Sequence, residues 1–138
     1  FAEPTNGARL RHRGRDIQLR TRANATLAEA ILYSTHPSMF TAAGLTQQYQ
    51  QLASQCRLQR WGGDCYGLAL LAHGCIDLMV ESQLMPYDIV PLIPIIEGAG
   101  GVVTDLAGNS PMKGGTVIAA ANSSLQAAAL ETLRRTVS

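Results

Sequence analysis

Residues 84–105, LMPYDIVPLIPIIEGAGGVVTD, decide how this chain folds. A single acid, Asp88, stands before an apolar run that ends in glycines, and a β-branched VVTD follows. The spacing predicts a helix over 88–100 that starts at Asp88, with a strand after it. Pro91 falls in the first turn, where N–H groups have no helical partner, and is tolerated there. Pro94 lies deeper and predicts a kink or loosened first turns, a geometric requirement at the mouth of a pocket. GAGG (98–101) ends a helix and precedes a strand. That is the reverse of the strand–loop–helix order of a dinucleotide loop, so it reads as a helix stop and a close helix–strand contact.

Working outward, IDLMVE (76–81) reads as a strand and DCYGLALLAHG (64–74) as a helix, with Asp64 as N-cap and Gly74 as stop. The apolar residues of that helix lie all round, which predicts burial on every side. LQRW (58–61) is a short strand ending at Gly62-Gly63, and TQQYQQLASQCR (46–57) a helix with Thr46 as N-cap. AILYST (30–35) and DIQLRTR (16–22) read as strands, with turns at Asn6-Gly7 and Arg13-Gly14. Downstream, VVTDL (102–106) and TVIAAA (116–121) are strands around a polar GNSPMKGG turn. SSLQAAALETLRR (123–135) is a serine-capped helix with its arginines at the favourable end. Helices and strands alternate from residue 46 onward. That order predicts one α/β domain over 1–138, a layered sheet with helices on both faces.

Composition narrows the function classes. Apolar residues make up 46% of 138, enough for a real core, and the formal net charge is +1. Such a balance gives no reason to expect nucleic acid or an acidic membrane surface as partner. The basic residues of 8–22 read as a solvated hairpin. No apolar run is long enough to span a bilayer. Cys56, Cys65 and Cys75 form no CxxC pair, and His12, His36 and His73 lack ligand spacing. Buried thiols in a reducing cytoplasm are expected, not a disulfide framework or a zinc site.

Three carboxylates share one kind of location. Asp64 and Asp88 each open a helix, and Glu81 closes the strand between them. In α/β sheets, strand C-termini and the helix starts after them lie along one edge, where ligands collect. Spacing alone favours plain roles, two N-caps and a strand end meeting water. Two details favour chemistry. A carboxylate at the positive end of a helix is a good hard donor for a divalent cation. Gly62 and Gly63 bare the backbone before Asp64, which suits close approach of a ligand to main-chain N–H groups.

PYDIVPLIPIIEGAGGVVTDLAG resembles the carboxyl-terminal signature of the inositol monophosphatase family, a W/Y-D motif, an apolar run, E-A/G-G-G and a T-D-x-x-G tail. RWGGDCYGLALLAHGCIDLMVES, with THPSMF and FTAAG upstream, resembles the histidinol-phosphate phosphatase branch. The resemblance covers residues 25–130. It implies the carboxyl-terminal half of the sugar-phosphatase fold shared with fructose bisphosphatases, and a Mg2+-dependent phosphomonoesterase. It makes Asp88 a metal ligand and places Glu81, Gly62 and Asp64, with Gly63, at the substrate. An added carboxylate at Asp64 suits the ammonium and imidazole of histidinol, where neutral inositol needs none.

Two departures from the family pattern stand out. Val90-Pro91 replaces the usual A-A after Y-D, and the amino-terminal half with its D-P-x-D-G-T loop is absent. The chain opens on Phe1, as if cut from something longer. It is therefore expected to be inactive alone, to need the missing half of the same enzyme, and to form a cytoplasmic homodimer as the family does. No catalytic residue is expected within this half. Inositol or another sugar phosphate is the alternative substrate. A non-catalytic binding or assembly module is the alternative role.

Overall fold

The computed structural model describes residues 1–3 and 5–136. Its centre is β6 (Leu78–Leu84), whose first five residues are all buried. An apolar run that satisfies both faces of a sheet belongs in the middle of a layered fold. β6 lies in a five-stranded mixed sheet of order β5-β4-β6-β8-β7. β4 (Ile31–Ser34) runs parallel to both β6 and β5 (Leu58–Trp61). β8 (Gly115–Ala120) pairs antiparallel with β6 and with β7 (Val102–Asp105).

The period of two along β6 separates two cores. Leu78 and Val80 pack with Phe40 of α1 (Ser38–Ala43), Tyr49 and Leu52 of α2 (Thr46–Gln55), and Leu125 and Leu133 of α6 (Ser123–Arg134). Met79 points the other way, to Leu68 and Leu71 of α3 (Asp64–Ala72), Ile89 of α4 (Pro86–Ile89), and Ile93 and Ile96 of α5 (Ile93–Gly98). Helices thus cover both faces, as the alternation predicts. A separate three-stranded sheet, β1 (Ala2–Glu3), β2 (Gly7–His12) and β3 (Arg15–Gln18), rests on α5. Gly98 permits that contact, since a methyl there would sit 3.0 Å from the Ala8 backbone nitrogen. The arginine-rich hairpin is solvated, with Arg11 and Asp16 paired at 2.8 Å.

Several expectations are corrected. The run 88–100 is not one helix, and Asp88 does not open it. α4 begins at Pro86, a 3-10 turn spans Val90–Leu92, and α5 starts at Ile93. Pro91 and Pro94 donate no N–H, and the break falls where those bonds are missing. α3 is buried on one side only. Gly67, Leu68, Leu71 and Ala72 face the core, and Tyr66 is 69% exposed. α6 is capped by Asn122, whose Oδ1 accepts from Leu125 N–H at 2.8 Å, not by a serine. Thr46 lies inside α2 and makes no capping bond. The strand expected over 16–22 ends at Gln18. No cysteine is buried: Cys65 and Cys75 are exposed and Cys56 is half-buried. The short helix α1, between Pro37 and a left-handed Gly44, is not anticipated by any long periodic pattern.

Candidate active site

The parallel strands β4, β5 and β6 present their C-terminal ends along one edge of the sheet. Thr35 follows β4, Gly62–Asp64 follow β5, and Glu81 stands before the end of β6. A β-bulge after Glu81 shifts the pairing with β8 and puts Gln83 in a left-handed conformation, φ 59°. The chain then turns into α4, which carries Asp88. Between these ends lies a cleft of about 720 Å³. Thr35, His36, Asp64, Glu81, Tyr87 and Asp88 line it, and no Lys or Arg does.

Glu81 is the most enclosed of the three cleft acids, 3% exposed. Its Oε1 accepts the Thr35 hydroxyl at 2.9 Å. Burial pushes its carboxyl up to about 7; the Thr35 hydrogen bond works against that rise and the Asp64 charge adds to it. Asp64 is exposed, and its side chain caps nothing. Its own backbone N–H donates to Thr35 Oγ1 at 3.1 Å, and its φ is 46°. The expected cap at Asp64 is therefore not made, which leaves its carboxylate facing the cleft.

Asp88 is half-buried and does carry out a cap. Its Oδ2 accepts the Met85 N–H at 2.8 Å, from the third position of α4. No hydrogen bond to Oδ1 forms among the described residues, so one oxygen of this cleft-lining carboxylate stays available. Gly62 and Gly63 differ from the picture of bared donors. Their N–H groups donate to Thr35 O at 2.9 Å and Ser34 O at 3.3 Å, and neither residue lines the cleft. A methyl at Gly63 would come within 3.1 Å of Met79 Cε, so the Met79 side chain would have to shift to admit it.

Thr35 is the residue that motif reading passes over. It lies in the stretch that carries the resemblance, yet only the fold shows that it touches both Glu81 and Asp64. As a metal site the arrangement is partial. No group of three His, Cys, Asp or Glu residues able to hold a cation forms among the described residues. Asp88 Oδ1 has the right chemistry for one ligand of a hard divalent ion. The remaining ligands would have to come from elsewhere.

The family model described as the inositol monophosphatase family matches residues 3–138. The chain belongs to the inositol monophosphatase family. It is 38% identical over 137 residues to the bifunctional phosphatase IMPL2, chloroplastic, of Arabidopsis thaliana, covering 93% of this chain and 39% of that protein. It is 36% identical over 75 residues to a histidinol-phosphatase of Chlorobaculum parvum, covering 54% of this chain and 29% of that one. Among solved structures, an inositol monophosphatase from Zymomonas mobilis superposes with a TM-score of 0.77 at 37% identity, covering 85% of this chain and 47% of that chain. The suhB protein of Bartonella henselae also gives 0.77, at 21% identity, and shows the shared fold. The chain spans less than two-fifths of the curated relatives named and about half of the solved ones. The mixed α/β sheet described above is the architecture of these family structures.

Proposed function

We propose that this chain supplies the substrate-facing half of a Mg2+-dependent phosphomonoesterase, acting on histidinol phosphate. One observation carries the reading: Asp64, Glu81 and Asp88 line a single cleft with no Lys or Arg among its lining residues. A cleft of that charge repels a phosphate by itself and attracts a cation. It therefore suits a substrate whose organic part is positive and whose phosphate is received through a divalent metal.

When bound, Mg2+ supplies an acidified water and neutralises charge on the phosphoryl oxygens. Asp88 would hold it through Oδ1, while the Met85 N–H fixes the carboxylate through Oδ2. Glu81 and Asp64 would receive the ammonium of histidinol as charge-assisted acceptors. The buried wall behind Glu81 excludes water from that contact. The histidinol-phosphatase of Chlorobaculum parvum supports this branch, as do the GGDCY residues. The missing metal ligands and phosphate-binding groups would come from an amino-terminal half of the same enzyme.

The test uses the full-length protein. Asp64→Ala is expected to raise the Michaelis constant for histidinol phosphate about tenfold, the equivalent of one charge-assisted contact, and to leave that for inositol phosphate nearly unchanged. Equal effects on both substrates would remove the ammonium contact. Asp88→Asn is expected to weaken magnesium binding and to cut turnover by more than the roughly 10–100-fold lost with an outer-shell partner. A second reading, inositol or another sugar phosphate, is favoured by the likeness to the Zymomonas mobilis inositol monophosphatase. Higher kcat/KM on inositol phosphate than on histidinol phosphate would decide for it.

A further inference from the structure

Thr35 sits where three elements converge, just after β4, against the first residue of α3 and against Glu81 of β6. Its single hydroxyl does two things at once. The proton goes to Glu81 Oε1, 2.9 Å away, and the oxygen accepts the Asp64 N–H at 3.1 Å. A backbone N–H donates and never accepts, so one lone pair of the hydroxyl takes the Asp64 N–H. When Glu81 is ionised, the hydroxyl proton points to its carboxylate.

Both partners need such a clamp. Asp64 holds a left-handed backbone, φ 46°, that a residue with a Cβ adopts only when its surroundings insist. Glu81 is a carboxyl almost out of water, and the Thr35 hydroxyl is the one side-chain donor to it among the described residues, with a smaller pull from the Thr35 backbone. Nothing in the strand order requires a hydroxyl at position 35. A valine of the same shape would continue β4 equally well.

We propose that Thr35 is a positioning residue, whose hydroxyl holds the Glu81 carboxyl and the Asp64 backbone in one arrangement, so that the two acids form one receptor for a cationic group. The receptor's use rests on the phosphatase reading above, while the hydroxyl's hold on Glu81 stands apart from it. The titratable groups facing Glu81 are Asp64 and Cys65 on α3, His36 after β4, Tyr49 on α2, and Tyr87 and Asp88 on α4. Asp64 is the one whose charge pushes the Glu81 carboxyl upward, so the hydroxyl of Thr35 works against both burial and that neighbour.

The experiment follows the Glu81 carboxyl carbon by 13C NMR through a pH titration of the full-length protein, with the signal assigned by its loss in Glu81→Gln. Thr35→Val keeps the side-chain shape and removes the donor. It is expected to raise the Glu81 midpoint by roughly one pH unit, the size of one lost hydrogen bond to a charged group. Thr35→Ser is expected to titrate like the natural protein. An unmoved midpoint in Thr35→Val, or a Thr35→Ser that titrates like the valine variant, would overturn the assignment. The same variants are then assayed on histidinol phosphate and inositol phosphate near pH 7. A Michaelis constant that rises in Thr35→Val for the cationic substrate only, with kcat kept, supports the receptor. A shifted midpoint with no change in discrimination would leave the hold on Glu81 standing and count against its contact with substrate.

Discussion

Glu81 is the residue at which stability and chemistry pull apart. Its carboxyl titrates near 7 in the folded chain, well above its ordinary 4.5, and burial is the main cause. Between those two values the unfolded chain has released its proton and the folded chain has kept it. Folding stability from this group therefore falls as pH rises from 4.5 to 7, and the full loss is in place above 7. A rise of this size corresponds to about 3 kcal/mol. Glu81→Gln is expected to stabilise the protein by up to that amount at pH 8, and to change little at pH 4.5. Urea unfolding at both pH values reads this directly, and equal effects at the two would show that the carboxyl is not perturbed. The sequence made the acid legible as a strand end. It did not reveal the burial, because Glu81 becomes enclosed only when Thr35 and the bulge at Gln83 close round it. The same limit applies to Asp64 and Asp88. Spacing placed both at helix starts, yet only Asp88 caps, and that difference comes from the left-handed backbone at Asp64.

At the scale of elements, periodicity reported layers well and helix continuity poorly. The apolar stretch 76–81 marked a strand, which the structure places at Leu78–Leu84, and the glycines at 98–101 marked a helix stop and a close helix–strand contact. The two prolines broke the following helix in a way that apolar content could not announce, and the six-residue α1 was too short to show a period. Position 77 carries a second feature that local patterns miss. Asp77 is fully buried, and its Oδ2 accepts the Ile31 N–H at 2.9 Å. Its Oδ1 lies 3.2 Å from Arg22 Nε, which ties the segment after β3 to the start of β4. Arg22→Ala would leave a buried carboxylate with a backbone donor and no cation. A loss of about 1–2 kcal/mol is expected, below the range for a fully buried pair because Arg22 is 39% exposed. Asp77→Leu removes the charge together with its need for a partner, although the Ile31 N–H then loses its acceptor. The double variant Arg22→Ala/Asp77→Leu is expected to recover part of the loss. Chemical denaturation of the single and double variants forms a cycle, and strict additivity would show that the two residues do not interact.

At the scale of the whole molecule, the relation between cleft and metal decides what the chain does by itself. High-affinity sites for Mg2+ need several hard oxygens in near-octahedral array, and a single carboxylate leaves the ion mostly hydrated. Asp88 offers one free oxygen. Glu81, its carboxyl pushed up to about 7, is engaged by Thr35, and the described residues assemble no third ligand. The 138-residue chain is therefore expected to take up Mg2+ only weakly, in the millimolar range or above, and to hydrolyse neither histidinol phosphate nor inositol phosphate. Calorimetric titration of the chain with Mg2+, repeated with Mn2+ followed by electron paramagnetic resonance, measures this. A saturable site with a micromolar dissociation constant would mean that the acids of the cleft close into a complete metal centre without help. The opposite outcome, weak uptake that tightens when the proposed amino-terminal half is supplied in trans, would locate the remaining ligands there. The negative cleft makes the order of assembly matter too. Its three acids attract a cation before any anion, so phosphate affinity should rise with metal concentration. Inorganic phosphate binding measured across Mg2+ concentrations in the reconstituted protein checks that coupling, and phosphate uptake independent of metal would place the phosphate on basic groups outside this cleft.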